Sequence, residues 1–142
     1  MKKMLATICV ATAALVSCTT SQKATSLDSL GGEWNIIKVD GKEIKASDGQ
    51  EMPFIGFNIN EKQVYGYTGC NRLTGALNAD PNSGKIDFGN TGSTRMMCHD
   101  METENLVLGA IGKVKTYKVD KSGKLTLCDE SGKAVFEMQK KK

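Results

Sequence analysis

Apolar side chains recur at every second position between residues 30 and 139, in short runs cut by tight turn sequences, and the period changes only once. A period of two marks a strand with one face turned to a core, so most of this chain is expected to be β. Residues 33–39 (EWNIIKV) run into Asp40-Gly41, a two-residue hairpin turn, before the chain returns at Lys42. Residues 54–59 put Ile55, Phe57 and Ile59 on one face, with Pro53 at the start, where a missing N–H is tolerated; residues 64–67 form the return. Residues 70–78 read as one strand with Leu73 and Leu77 apolar, residues 80–84 (DPNSG) as a turn, and residues 85–89 as a strand alternating through Ile86 and Phe88. Three more strands are predicted at 116–119, 124–128 and 133–139, with turns at 120–123 and 130–132. The exception is 100–114, where Met101, Leu108 and Ile111, flanked by Leu106, Val107, Ala110 and Val114, fit a helical stripe. Asp100 is its expected N-cap, with Glu102 and Glu104 in the first turn facing the positive end of the helix dipole. Leu125, Leu127, Ala134, Phe136 and Met138 can close on that helix as a single core.

Residues 1–17 have a different character. Lys2 and Lys3 precede an apolar stretch from Met4 to Val16 that is too short to span a bilayer, and Ser17 is a small residue before Cys18. Leu15-Val16-Ser17-Cys18 resembles the bacterial lipoprotein processing site. That resemblance implies cleavage before Cys18 and attachment of a diacylglycerol to its sulfur. At about 0.8 kcal/mol per buried CH₂, two or three acyl chains anchor durably where one does not. Residues 18–29, rich in Ser and Thr, are expected to be a flexible tether after the lipidated cysteine. With Thr19 rather than Asp after the cysteine, lipoprotein sorting logic implies the outer membrane, facing the periplasm.

Loss of residues 1–17 leaves 125 residues, one domain by length. Of 19 basic and 16 acidic side chains only Lys2 and Lys3 depart, so the mature formal charge is +1. That balance argues against a nucleic-acid partner. The basic tail, residues 140–142, is expected to be solvated. In an oxidising compartment Cys70, Cys98 and Cys128 allow one bridge and one leftover thiol. Cys128, on the face opposite Leu125 and Leu127, is the expected leftover.

No catalytic signature emerges. Cys98-His99 are adjacent in sequence, whereas a working nucleophile and base meet in space. The cysteines lack the short paired spacings of a zinc site, and Asp80, Asn82 and Gly84 form only a fragment of a calcium loop. Neither an enzyme activity, a metal nor a cofactor is expected.

One constellation is specific. Gly69-Cys70-Asn71-Arg72, Gly75, and then Thr94-Arg95-Met96-Met97-Cys98 before an acidic helix start, together with the opening Leu30-Gly31-Gly32-Glu33-Trp34, closely resemble the META domain family over about residues 30–139. The resemblance implies an α+β, mostly β fold: a strongly curved antiparallel sheet, a partial barrel, packed around one helix. It also implies a Cys70–Cys98 disulfide and a motif of Asn71, Arg72, Thr94 and Arg95 that is structural or binds a ligand. His99 and Ala76 depart from the family's usual residues. The function so implied is that of a non-enzymatic envelope lipoprotein. It would contribute to envelope integrity or to stress and antibiotic tolerance through contact with an envelope protein. The alternative is a binding module for an apolar or envelope-derived ligand, which would need an open cavity lined by Phe54, Phe57, Tyr65 and Tyr67.

Overall fold

The computed structural model describes residues 26–142, so the export signal, Cys18 and the tether as far as residue 25 lie outside the described residues. In chain order the described elements are α1 (Leu27–Leu30), β1 (Gly32–Val39), β2 (Lys42–Glu43), β3 (Phe54–Asn58), β4 (Gln63–Tyr67), β5 (Arg72–Ala76), β6 (Asn78–Asp80), β7 (Lys85–Asp87), β8 (Thr91–Ser93), α2 (Glu102–Ile111), β9 (Thr116–Val119), β10 (Lys124–Cys128) and β11 (Ala134–Lys140). The strands join in one antiparallel sheet, ordered β6-β7-β9-β10-β11-β1-β3-β4-β5-β8, with β2 also on β1. Near one margin of that order lies β5, and β6 forms the other, yet only Leu77 separates them in sequence. The margins can lie that close only if the sheet curls back on itself. The result is the strongly curved partial barrel that the resemblance implied.

The core fills the inside of that curve. Val107, Ala110 and Val114 from α2 and the segment after it join Trp34, Ile36, Ile55, Phe57, Leu125, Leu127, Phe136 and Met138 in one buried cluster. At about 25 cal/mol per Å² of apolar surface removed from water, this contact is the dominant favourable term of the fold. Trp34 Nε1, buried with the ring, donates to Leu30 O at 2.7 Å. Bulges adjust the alternation where the sheet bends. Ile36 pairs with Met138 but Lys38 with Glu137, so Ile37 is an extra residue, and the inward parity moves from Trp34 and Ile36 to Val39. Leu127 pairs with Phe136 but Cys128 with Ala134, which leaves Val135 extra and buries Val135 and Phe136 together. The β10 strand itself runs without a bulge against β9, so Cys128 stays on the face opposite Leu125 and Leu127, across from Thr116 and outside the core cluster, as expected; it is a free thiol and is buried there.

Four expectations on the sequence are corrected. The strand predicted at 70–78 is two strands, because the chain leaves β4 at Leu77, whose N–H bonds Lys62 O, and pairs next with β7. Residues 91–93, assigned no element from sequence, form β8 against β5. The helix starts at Glu102 rather than after an Asp100 cap: Met101 holds the cap position, and Asp100 Oδ1 instead accepts the Glu102 N–H at 2.9 Å. Finally, the ends of the domain are anchored. Residues 27–29, assigned to the tether, form a turn of helix that seats Leu30 in the core.

The basic tail is likewise not free in solvent. Lys140 completes β11 and lies over the Trp34 ring at 4.5 Å, and its ammonium donates to Gly31 O. Lys141 lies 4.2 Å from the Phe54 ring centroid and pairs with Glu33 at 3.0 Å and Glu51 at 2.7 Å. Opposite charges and aromatic faces supply partners that a lysine run does not reveal in sequence. Deleting residues 140–142 is therefore expected to lower the melting temperature, as measured by circular dichroism; an unchanged transition would return the tail to the solvated state.

Candidate functional site

The motif residues converge where the β4–β5 connection meets the start of α2. Gly69 makes this approach possible: its φ is +120°, and a Cβ there would sit 3.1 Å from Glu104 N. A side chain would push the connection off the helix, so glycine is required both for its backbone conformation and for the space.

The centre of the junction is Glu104, which sequence analysis placed only in the first helical turn, facing the helix dipole. It is 1% exposed. Its Oε2 accepts hydrogen bonds from the Thr68 hydroxyl at 2.6 Å, Cys70 N–H at 3.0 Å and Asn71 N–H at 3.2 Å, and its Oε1 accepts from Asn71 Nδ2 at 3.0 Å. Burial by itself pushes this carboxyl up. The bonds from Thr68, from the Asn71 side chain and backbone and from Cys70 outweigh it and hold the group below its ordinary value of 4.5. Its place in the first turn of α2 adds the favourable end of the helix dipole.

Asn71 extends the network outward. Its second amide hydrogen goes to Met96 O at 3.2 Å, while its Oδ1 accepts Met96 N–H at 2.6 Å and the Thr94 hydroxyl at 2.8 Å. Both donors and both acceptor positions of the amide are thus in use. Thr94 Oγ1 in turn accepts Arg72 N–H at 3.0 Å, and Thr94 N–H donates to Arg72 O at 3.0 Å. The disulfide implied by the family resemblance is present between Cys70 and Cys98, with Cα atoms 5.9 Å apart. Residues 94–98 are therefore tied down by Thr94 at one end, Asn71 in the middle and the disulfide at the other.

Of the four motif residues, the structure brings Asn71 and Thr94 into this network by their side chains. Arg72 joins through its backbone only; its guanidinium lies outside, 5.1 Å from the Tyr67 ring centroid and 3.8 Å from Glu51 Oε2. Arg95 is exposed. Sequence reading missed Glu104, Thr68 and the Met96 backbone as partners. The signal for Glu104 was available in its spacing: it stands three residues before Val107 and six before Ala110, on the buried face of α2. A carboxylate on an apolar stripe needs donors, and the Gly-Cys-Asn connection supplies them.

The four aromatics proposed for a ligand cavity do not share one. Phe57 belongs to the core and meets Phe88 edge-on with centroids 6.3 Å apart, whereas Phe54 and Tyr65 pair edge-on, also at 6.3 Å, on the outer face. A groove of about 570 Å³ lies elsewhere, between β7 and β9, and is lined by Asp80, Lys85, Ile86, Asp87, Lys115 and Glu130 among others. Burial pushes the Cys128 thiol up, away from the reactive thiolate.

A family model described as the META domain matches residues 25–142. None of the curated proteins matches the chain. Among solved structures, the NMR structure of a protein from Burkholderia xenovorans is similar at 20% identity, covering 80% of this chain and 85% of that one with a TM-score of 0.61. A DUF4847 family protein from Bacteroides vulgatus, known from a crystal structure, is similar at 14% identity, covering 80% and 94% of the two chains with a TM-score of 0.53. At these identities the structural likeness speaks to fold alone.

Proposed function

The chain belongs to the META domain family, and from that premise we propose that it is a non-enzymatic lipoprotein of the bacterial cell envelope, held by lipid on Cys18 and acting through contact with an envelope protein. The observation that carries this reading is the sealed state of the Glu104 network. The carboxylate with the most specialised surroundings is turned inward, and its partners are Thr68, Cys70 and Asn71 rather than a groove. Such a constellation braces a surface loop. A catalytic carboxylate must instead reach substrate. A filled core and the division of the aromatics between two faces favour this reading over the apolar-ligand module.

The lipid anchor is supported by the order of charge, apolar stretch, small residue and cysteine in residues 2–18. No helix among the described residues is long and apolar enough to cross a membrane. Changing Cys18 to Ala is expected to move the protein from the membrane fraction to the soluble fraction; unchanged fractionation would remove the anchor from the proposal. Chemical crosslinking of the natively lipidated protein in intact cells should give a stoichiometric adduct with one envelope protein. A co-purifying lipid or metabolite without any protein adduct would instead favour the ligand-binding module.

A further inference from the structure

The connection from β8 to α2 carries three thioethers and an imidazole within six residues: Met96, Met97, His99 and Met101. Met96 and Met97 are the exposed large apolar side chains among the described residues, at 57% and 89%, and His99 is exposed beside them. Their placement is not an accident of a loose loop. Asn71 holds both the N–H and the carbonyl of Met96, and the disulfide holds Cys98.

Met101 brings a third sulfur back to the same place. Its Sδ accepts the Cys98 N–H at 3.4 Å, so it lies against the peptide that joins Met97 to Cys98. One lone pair of that sulfur is occupied by the amide and the other is left for a ligand. The donors are soft. Thioethers are weak ligands for Zn²⁺, Mg²⁺ or Ca²⁺ but suit Cu(I), for which imidazole is also a good partner. Harder sets do not compete: no group of three or more His, Cys, Asp or Glu gathers among the described residues, and Cys70 and Cys98 are consumed in their bond.

We propose that Met97, His99 and Met101 form a binding site for a soft monovalent metal ion, Cu(I), with Met96 at its edge. The fixed backbone lowers the ordering cost, since binding has only the Met97 and His99 side chains left to immobilise. The site sits outside the Glu104 network and uses none of its side chains.

The test uses the full chain, exported so that its disulfide forms, with Cys9, Cys18 and Cys128 changed to Ala so that no thiol competes. Cu(I) is offered as its bicinchoninate complex with ascorbate as reductant, and transfer is read from loss of the complex's visible absorbance. One equivalent should transfer. Met97→Leu and Met101→Leu should each weaken binding by about 10-fold or more, in line with the losses seen when a metal site's supporting groups are removed. Met97 is almost fully exposed, so its substitution leaves folding intact even if that of Met101 does not. No transfer, or transfer undiminished by Met97→Leu, would overturn the site, as would equal binding of Zn²⁺.

Discussion

Glu104→Gln is expected to lower the stability of the domain by about 2–4 kcal/mol at pH 7, a fall of roughly 10–20 °C in Tm. The substitution keeps the volume but replaces one carboxylate oxygen with an amide NH₂. If the remaining oxygen faces Thr68, Cys70 N–H and Asn71 N–H, the new amide NH₂ points at the Asn71 amide nitrogen, donor against donor. If the amide is turned over, the three donors on the other side lose their acceptor instead. Either arrangement leaves buried donors unmet and removes the charge that strengthened every bond. The pH dependence carries a second signature. Because the folded Glu104 carboxyl lies below its ordinary value of 4.5, its contribution is complete above that value and is lost as pH falls through the lower folded value. The gap between parent and variant should therefore be constant near neutrality and narrow in acid. Urea unfolding of both proteins from pH 7 to pH 3 measures it; a gap that is the same at every pH would mean that folding does not lower the affinity of the Glu104 carboxyl for its proton.

Breaking the Cys70–Cys98 bridge should have an effect of comparable size. Its sequence separation is 28, and in the loop-entropy account closing such a loop is worth about 3–4 kcal/mol, a large part of the 5–15 kcal/mol typical of a domain. Cys70→Ser and Cys98→Ser should each lower Tm by the same amount, and the double substitution by no more than either single one. Additive losses would show that the two sulfurs act independently. The bridge and the carboxylate also share a residue, because the Cys70 N–H donates to Glu104. Combining Cys70→Ser with Glu104→Gln is accordingly expected to cost less than the sum of the two, a coupling that a double-mutant cycle in urea would read directly.

The network makes clear why part of the site is hidden from a reading along the chain. Asn71 and Thr94 were singled out because they stand beside conspicuous glycines and cysteines, and the structure joins them at 2.8 Å. Glu104 belongs to the same assembly but sits among the ordinary acidic residues of a helix start. Its neighbour Glu102, placed beside it in the first turn by the same reasoning, is exposed and pairs with Lys42 at 3.7 Å. Their shared place in the first turn does not distinguish the two carboxylates; spacing puts Glu104 on the face of α2 that carries Val107 and Ala110, and the donors opposite that face come from residues 68–71. In the same way, Lys140 and Lys141 read as a solvated end until β11 is laid beside β1, which carries Trp34 and Glu33.

From sequence alone, the alternation of apolar residues and the turn chemistry determined that the chain is mostly β with one principal helix. Both depend on contacts within a few residues, where backbone preference and side-chain direction act directly. The motif around Cys70 and Cys98 determined the family and, through it, the bridge. The tertiary structure alone decided how the sheet closes, with β5 giving way to β6 at Leu77, where the bulges at Ile37 and Val135 shift the inward face, and which carboxylate is buried. These outcomes depend on pairing between strands distant in sequence, so a one-residue change of register or one extra bulge residue inverts every assignment that follows it.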